Sequence, residues 1–200
     1  METSLLLDNK TKQLNLFFKK RFEHKSDVAL KLHGLVNTVT SRAQVEGSIL
    51  KFFRLGTEPR FSDDDIYRPD QRLRLGIGAK SSSSSEDVFL TLNAKQKVRL
   101  NKQSEMVRGR QVLNSYTEAS LRANYNYNIK TEAWGGEAVA KISTALFKFS
   151  DDQDVRLSAG CRIPLTPNGA GKAVPFVRVE ENCWGVTTDL KGGFVINYAL

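Results

Sequence analysis

Lysine and arginine are the residues of this 200-residue chain best placed to do chemistry, because they recur at every second position of several segments. Arg72 and Arg74, then Lys95, Lys97 and Arg99, then Arg122, Arg156 and Arg162 lie on segments in which polar and mostly apolar positions alternate. A guanidinium takes phosphate oxygens two at a time, and a lysine ammonium acts as a mobile point charge. Set around water, such groups attract anions and turn cations away. Other candidates fail on spacing. Gly171-Lys172 has the ending of a phosphate-binding loop, but Thr166 stands where its first glycine belongs and Ala173 replaces the Ser/Thr. Asp63, Asp64 and Asp65 are consecutive and lack the spacing of a cation site. His24 and His33 are isolated. Cys161 and Cys183 form neither a CxxC pair nor a disulfide framework. No nucleophile–base arrangement appears, so neither catalysis nor a metal or cofactor is expected.

The elements that would position these charges are strands. From Val88 to Leu100 the even positions read Val88, Leu90, Leu92, Ala94, Gln96, Val98 and Leu100, and the odd ones Phe89, Thr91, Asn93, Lys95, Lys97 and Arg99. A helix would place Thr91 and Lys95 on the stripe of Val88 and Leu92, so period two is the better template. The same alternation covers Arg72–Lys80, Ala119–Lys130, Asp154–Ile163 and the neighbourhoods of Leu14–Phe18 and Val28–His33. Ala43–Phe53 changes its apolar phase midway, which predicts a bulge. Ala138–Leu146 carries Val139 and Ala145 on its polar side. Turn signals separate the runs: Arg68-Pro69-Asp70, Gly135-Gly136, Ser150-Asp151-Asp152, Pro167-Asn168-Gly169 and Lys191-Gly192-Gly193. Ser81–Asp87 reads as a loop, and Met106–Leu113 has room for one more strand. About twelve strands result, with no helical domain. The length fits one domain, residues 1–200.

Period two fits a soluble sheet as well as a membrane barrel, and the two differ in which face is wet. Net charge is +8, with 30 Lys+Arg against 22 Asp+Glu. The polar face collects Lys19, Arg21, Lys31, Lys80, Lys141 and Arg178 besides those already named. The apolar face is rich in alanine (Ala79, Ala94, Ala119, Ala123, Ala140), which covers lipid but fills a soluble core poorly. No stretch approaches the ~18 apolar residues of a membrane helix. These features favour an all-β fold, a transmembrane antiparallel β-barrel with a wet basic lumen. The alternative is a soluble β-sheet protein that binds RNA or another polyanion. Its aromatics should interleave with the basic residues for stacking, whereas Phe18, Tyr125, Tyr127 and Tyr198 fall on the other face. Nucleic acid is therefore not the expected partner. A lipocalin-like carrier would need the apolar face inward. The N-terminus has neither the charged-then-apolar layout of a secretory signal nor the acid-poor look of a transit peptide.

Several segments together resemble the small chloroplast outer envelope pore proteins: Met1–Leu5, Asp152–Leu157, Val174-Pro175-Phe176, Glu181-Asn182-Cys183-Trp184 and the closing Tyr198-Ala199-Leu200. Leu75-Gly76-Ile77-Gly78 is a weaker echo. Ser81–Asp87 and Asn101–Ser115 depart from the family pattern. The resemblance implies a porin of the plastid (chloroplast or etioplast) outer envelope membrane. It implies a voltage-dependent, rectifying, anion-selective channel for phosphorylated metabolites such as triose phosphates, phosphoglycerate and phosphate, modulated by ATP. The expected pore-lining, anion-binding residues are Lys31, Arg72, Arg74, Lys80, Lys95, Lys97, Arg99, Arg122, Lys141, Arg156, Arg162 and Arg178. Lys191, Gly193, Ile196 and Tyr198 resemble the C-terminal sorting signal of organellar β-barrels, which implies outer-membrane insertion machinery as a partner besides the lipid bilayer.

Overall fold

The computed structural model describes residues 2–56, 72–84, 87–100, 117–148 and 154–200, together with the pairs 106–107 and 110–111. Twelve strands follow one another: β1 (Glu2–Asp8), β2 (Gln13–Glu23), β3 (Val28–Asn37), β4 (Ala43–Leu55), β5 (Leu73–Ser82) and β6 (Val88–Arg99), then β7 (Thr117–Asn128), β8 (Ala133–Lys148), β9 (Asp154–Thr166), β10 (Val174–Glu181), β11 (Trp184–Thr188) and β12 (Phe194–Ala199). Each pairs antiparallel with the next. The last closes on the first, with Leu5 opposite Tyr198 and Leu7 opposite Ile196. The result is a closed twelve-stranded antiparallel barrel without a helix among the described residues. Closure leaves no sheet edge, the condition for a sheet to sit in lipid.

Following paired positions once around returns to β1 about 18 residues further along, which tilts the strands by roughly 45°. Strands ~4.8 Å apart at that tilt give a barrel about 26 Å across between backbones. The period-two pattern sorts the two faces. Outward stand Leu14, Leu30, Ile49, Ile77, Leu90 and Ile142, all exposed on the barrel's outer surface. Trp134 lies outside as well, stacked on Tyr125 and in contact with Tyr127. Such an aromatic group belongs at a membrane–water interface.

Four expectations are corrected. Gly135-Gly136 is not a turn but part of β8, and the turn is 129–132. A Cβ on Gly136 would stand 2.2 Å from the Asn124 carbonyl oxygen, so the close approach of β7 needs glycine there. The phase change in β4 is not a bulge, since its register with β3 and β5 is continuous. Instead Leu50 and Phe52 turn into the lumen, and the bulge lies in β8 between Ala145 and Phe147. The serine tract begins inside β5: Ser82 is buried and accepts from Gln44 Nε2. Of Met106–Leu113, the described residues Met106–Val107 and Arg110–Gln111 pair with each other in a separate two-stranded sheet and not with the barrel. The sequence pattern also misses β1, because three consecutive leucines hide its alternation. The acidic residues Asp63–Asp65, Arg68-Pro69-Asp70 and Ser150-Asp151-Asp152 lie outside the described residues.

The two mouths differ. The turn mouth carries the connections 9–12, 38–42, 83–87, 129–132, 167–173 and 189–193. The loop mouth carries 24–27, 56–72, 100–116, 149–153 and 182–183. At the turn mouth a side-chain oxygen accepts the backbone N–H groups of the following turn. Asn37 takes Val39 and Thr40, Asn128 takes Lys130 and Thr131, and Asp189 takes Lys191 and Gly193. Lys10 crosses the β1–β12 seam there and donates to Asp189. Its side chain lies over Gly193, where an added Cβ would stand 2.1 Å from Lys10 Cε.

Two outcomes follow from this geometry. Cys161 shares the outward phase of Leu157 and Ile163, so in proteoliposomes it should resist a charged maleimide that labels an Arg162→Cys thiol readily; equal labelling would mean the faces are reversed. Lys10, with the backbone N–H groups of Lys191 and Gly193, holds the Asp189 carboxyl down to about 2. A carboxyl depressed on folding stabilises above its unfolded pKa, ~3.9, and loses that contribution as pH falls through the folded value. The thermal stability gap between the parent protein and Asp189→Asn should therefore be constant from pH 7 to about 4 and shrink towards pH 2. A gap that persists at pH 2 would remove the carboxylate from the account.

Candidate functional site: a basic spiral in the lumen

The lumen is built from the inward positions of every strand. The register puts Lys31, Arg74, Lys80, Lys95, Lys97, Arg99, Arg122, Lys141, Arg156, Arg162 and Arg178 on the inner face, and Arg72 just before β5. Arg21, Lys31 and Arg74, from three different strands, all lie over the ring of Phe52, so these side chains share one interior.

One row of hydrogen-bonded neighbours gathers these charges. Arg54 pairs with Arg74, Arg74 with Lys95, Lys95 with Arg122, Arg122 with Val139, and Val139 with Arg162. A row perpendicular to tilted strands winds around a barrel as it climbs. This one rises from the loop mouth at Arg54 towards the turn mouth at Arg162. Like charges directly opposite each other cost roughly 0.2–1 kcal/mol per pair. Three such juxtapositions in succession are a local penalty against folding, the kind retained where a counter-charge arrives from outside.

Carboxylates compensate only part of the lumen. Lys80 meets Glu46 at 2.9 Å, Lys97 meets Glu118 at 2.7 Å and Lys19 meets Glu2 at 2.7 Å. Arg178 pairs with Glu180, and Arg21 with Glu23. At the foot of the row, Arg54 meets Asp27 at 2.8 Å. Among the described residues, Lys31, Arg74, Lys95, Arg122, Lys141 and Arg162 have no carboxylate partner. The uncompensated group Lys31, Arg74, Lys95 and Arg122 occupies the half of the pore nearer the loop mouth. The turn-mouth half holds Arg162, the compensated pair Lys80–Glu46 and neutral groups such as Thr91 and Asn126, which hydrogen-bond at 3.0 Å.

Two aromatic rings seat the cations. Phe52, 9 % exposed, lies beneath Arg74 at 4.6 Å, Lys31 at 5.3 Å and Arg21 at 5.9 Å. With Leu50 and Ala29 it forms a small apolar cluster on the inner wall. Directly opposite Phe52 is Gly76, where a Cβ would stand 2.8 Å from the ring. The arrangement repeats six strands away: Phe176 faces Gly160, a Cβ there would stand 3.0 Å from the ring, and Arg162 lies 5.2 Å over it. Six strands is half of the strand count, so the two units stand on different walls, Phe52 nearer the loop mouth and Phe176 nearer the turn mouth. Sequence reasoning misses Phe52 and Phe176 because both break the polar phase. The usable signal is a glycine on the polar face of the neighbouring strand.

A closed sheet with an apolar exterior and a charged interior defines a membrane pore. The comparisons carry this further. The family model of the chloroplast outer envelope pore protein OEP21 matches residues 3–200. The outer envelope pore protein 21 of Pisum sativum and the outer envelope pore protein 21A of Arabidopsis thaliana, both chloroplastic, are each 24 % identical to this chain over the full length of both sequences. The chain belongs to the chloroplast outer envelope pore protein OEP21 family. It is a β-barrel pore of that membrane and not an enzyme.

The ring of Phe52 narrows the inner wall, so Phe52→Ala should raise single-channel conductance while lowering stability in detergent by about 3 kcal/mol, the low end for a buried phenylalanine. Planar-bilayer recording and thermal unfolding read the two effects. Unchanged conductance would show that the ring does not border the permeation path.

Proposed function

We propose that this barrel is a voltage-dependent, rectifying, anion-selective channel that passes phosphorylated metabolites: triose phosphates, phosphoglycerate and phosphate itself. The observation that supports it most is the row Arg54–Arg74–Lys95–Arg122–Arg162, interrupted once by Val139. A permeating phosphate is offered guanidinium groups along most of its crossing, in a low-dielectric wall that strengthens their field. Neighbouring sites of one kind let an ion move on as the next arrives. Rectification would follow from the uneven placement of charge, since Lys31, Arg74, Lys95 and Arg122 lie in the loop-mouth half and Arg162 in the other. ATP carries three linked phosphates and would engage several steps of the row at once, which suits it to modulate the current by occupying the path of smaller esters. Lys191, Gly193, Ile196 and Tyr198 serve, on this reading, as the recognition end for outer-membrane insertion machinery. Ile196 and Tyr198 lie on β12, the strand that closes the barrel.

The test is the reversal potential across a salt gradient. Bilayers containing the parent protein should pass chloride and phosphate esters in preference to potassium. The preference should weaken as the Debye length falls from ~10 Å at 0.1 M to ~3 Å at 1 M. Changing Arg74, Lys95, Arg122 and Arg162 together to Gln should abolish most of it without preventing insertion, because lumen positions tune selectivity more than stability. A cation-selective parent, or four substitutions that leave the reversal potential where it was, would remove the basic row from the mechanism.

A further inference from the structure

One wall of the barrel is lower than the rest. Strands β2 to β9 run from 10 to 16 residues, whereas β10, β11, β12 and β1 have 8, 5, 6 and 7. At a tilt near 45° each residue adds about 2.3 Å of height. β6 is then about 28 Å high, a match for the hydrocarbon layer, and β11 about 12 Å. The outward side chains tell the same story. On β6 the apolar face runs from Val88 to Val98, about 23 Å of height. On β12 Phe194 and Tyr198 are four residues apart, about 9 Å.

Carried around the register, Trp184 lies within about 4 Å of the barrel's mid-height and Glu181 about 7 Å from it. Both project outward, and the Trp184 indole N–H donates to the Glu181 carboxylate. In an undisturbed bilayer this pair would sit deep in hydrocarbon. A carboxylate is costly there, and tryptophan prefers the headgroup level. A cavity of about 290 Å³ opens over the same low rim, lined among others by Arg156, Arg178, Glu180, Glu181, Trp184 and Asn197. Polar groups of the wall and of the lumen thus meet where lipid tails would otherwise stand.

We propose that on this wall the lipid headgroups and their water come in to the level of Glu181 and Trp184, so that the bilayer is thinned beside the seam joining β1 to β12. A second copy of the chain is a poor occupant. The low apolar band is about 27 Å wide and about 10 Å high, or about 270 Å², against ~800 Å² per partner in a stable interface. Such a copy would also enclose the Glu181 carboxylate in a dry contact. Thinning is the ordinary response of a bilayer to a short apolar stretch. The seam has only five paired positions and stands in this region.

The experiment places the two tryptophans in depth separately. Trp134→Phe leaves Trp184, and Trp184→Phe leaves Trp134, which stands at the turn-mouth rim as an interface reference. Each protein is reconstituted in dioleoylphosphatidylcholine containing lipids brominated either near the headgroup or near the chain end. Shallow bromines should quench Trp184 about two-fold more strongly than deep ones, as they do Trp134. Stronger quenching by deep bromines would show full-thickness lipid against the wall and overturn the proposal. So would the absence of quenching by either set while Trp134 remains quenched, since another protein surface would then cover the wall. Should the Trp134→Phe protein not insert, a nitroxide on Cys183 in Cys161→Ser gives the same reading. Relaxation dominated by a water-soluble nickel reagent supports thinning, and relaxation dominated by oxygen refutes it.

Discussion

In hydrocarbon no water is available to a backbone amide, so every N–H and C=O in the spanning part of this chain must find its partner within the chain. A sheet meets that demand only by closing on itself. Closure dictates an even alternation of inward and outward side chains on strands that begin and end at fixed levels. It also fixes the stagger between neighbours. The stagger decides which side chains stand abreast, so the sequence of Arg54, Arg74, Lys95, Arg122 and Arg162 along one winding row follows from the hydrogen-bond register and not from any local motif.

A lumen full of cations would be unstable if all were left to repel one another. The chain limits the repulsion in two ways. Acidic residues on adjacent strands neutralise Lys19, Lys80 and Lys97, and Glu180 on the same strand neutralises Arg178. Elsewhere an aromatic face takes the place of a carboxylate, as Phe52 does for Arg74 and Lys31 and Phe176 for Arg162. A ring attracts a cation through its quadrupole without cancelling the net charge. The charge therefore remains available to an anion, and the side chain is still held against the wall. The glycines facing each ring are part of the same construction, because any side chain at Gly76 or Gly160 would displace it.

Much of the barrel was legible in the sequence because its strands have chemically different surroundings on their two faces. Where that contrast is strong, as in β6, β7 and β9, the extent and facing of the strand follow from alternation alone. It fails where the contrast is absent or reversed. In β1, Leu5, Leu6 and Leu7 are all apolar although Leu6 faces inward. In β4, Leu50 and Phe52 face a lumen that otherwise takes polar residues. Glycine is ambiguous in a sequence, since it serves both turns and close strand contacts, and Gly135-Gly136 shows the second use. The inner face of the candidate site was legible as a set of residues. The pairing that neutralises some members and leaves others exposed was not, because an ion pair such as Lys80–Glu46 depends on the β4–β5 register and the two residues are far apart in the chain.

The hairpin turns at one mouth have a bearing on how such a barrel reaches its place. A chain that enters a bilayer as hairpins must drag each leading bend through a medium that cannot solvate it. At 38–41 and 129–132 the bend arrives with its amides already capped by Asn37 and Asn128. Few naked polar groups would then make the passage, and the longest connections by sequence, 56–72 and 100–116, would stay on the side of entry. The turn mouth is thus fitted to be the leading edge of translocation, and the loop mouth the trailing one.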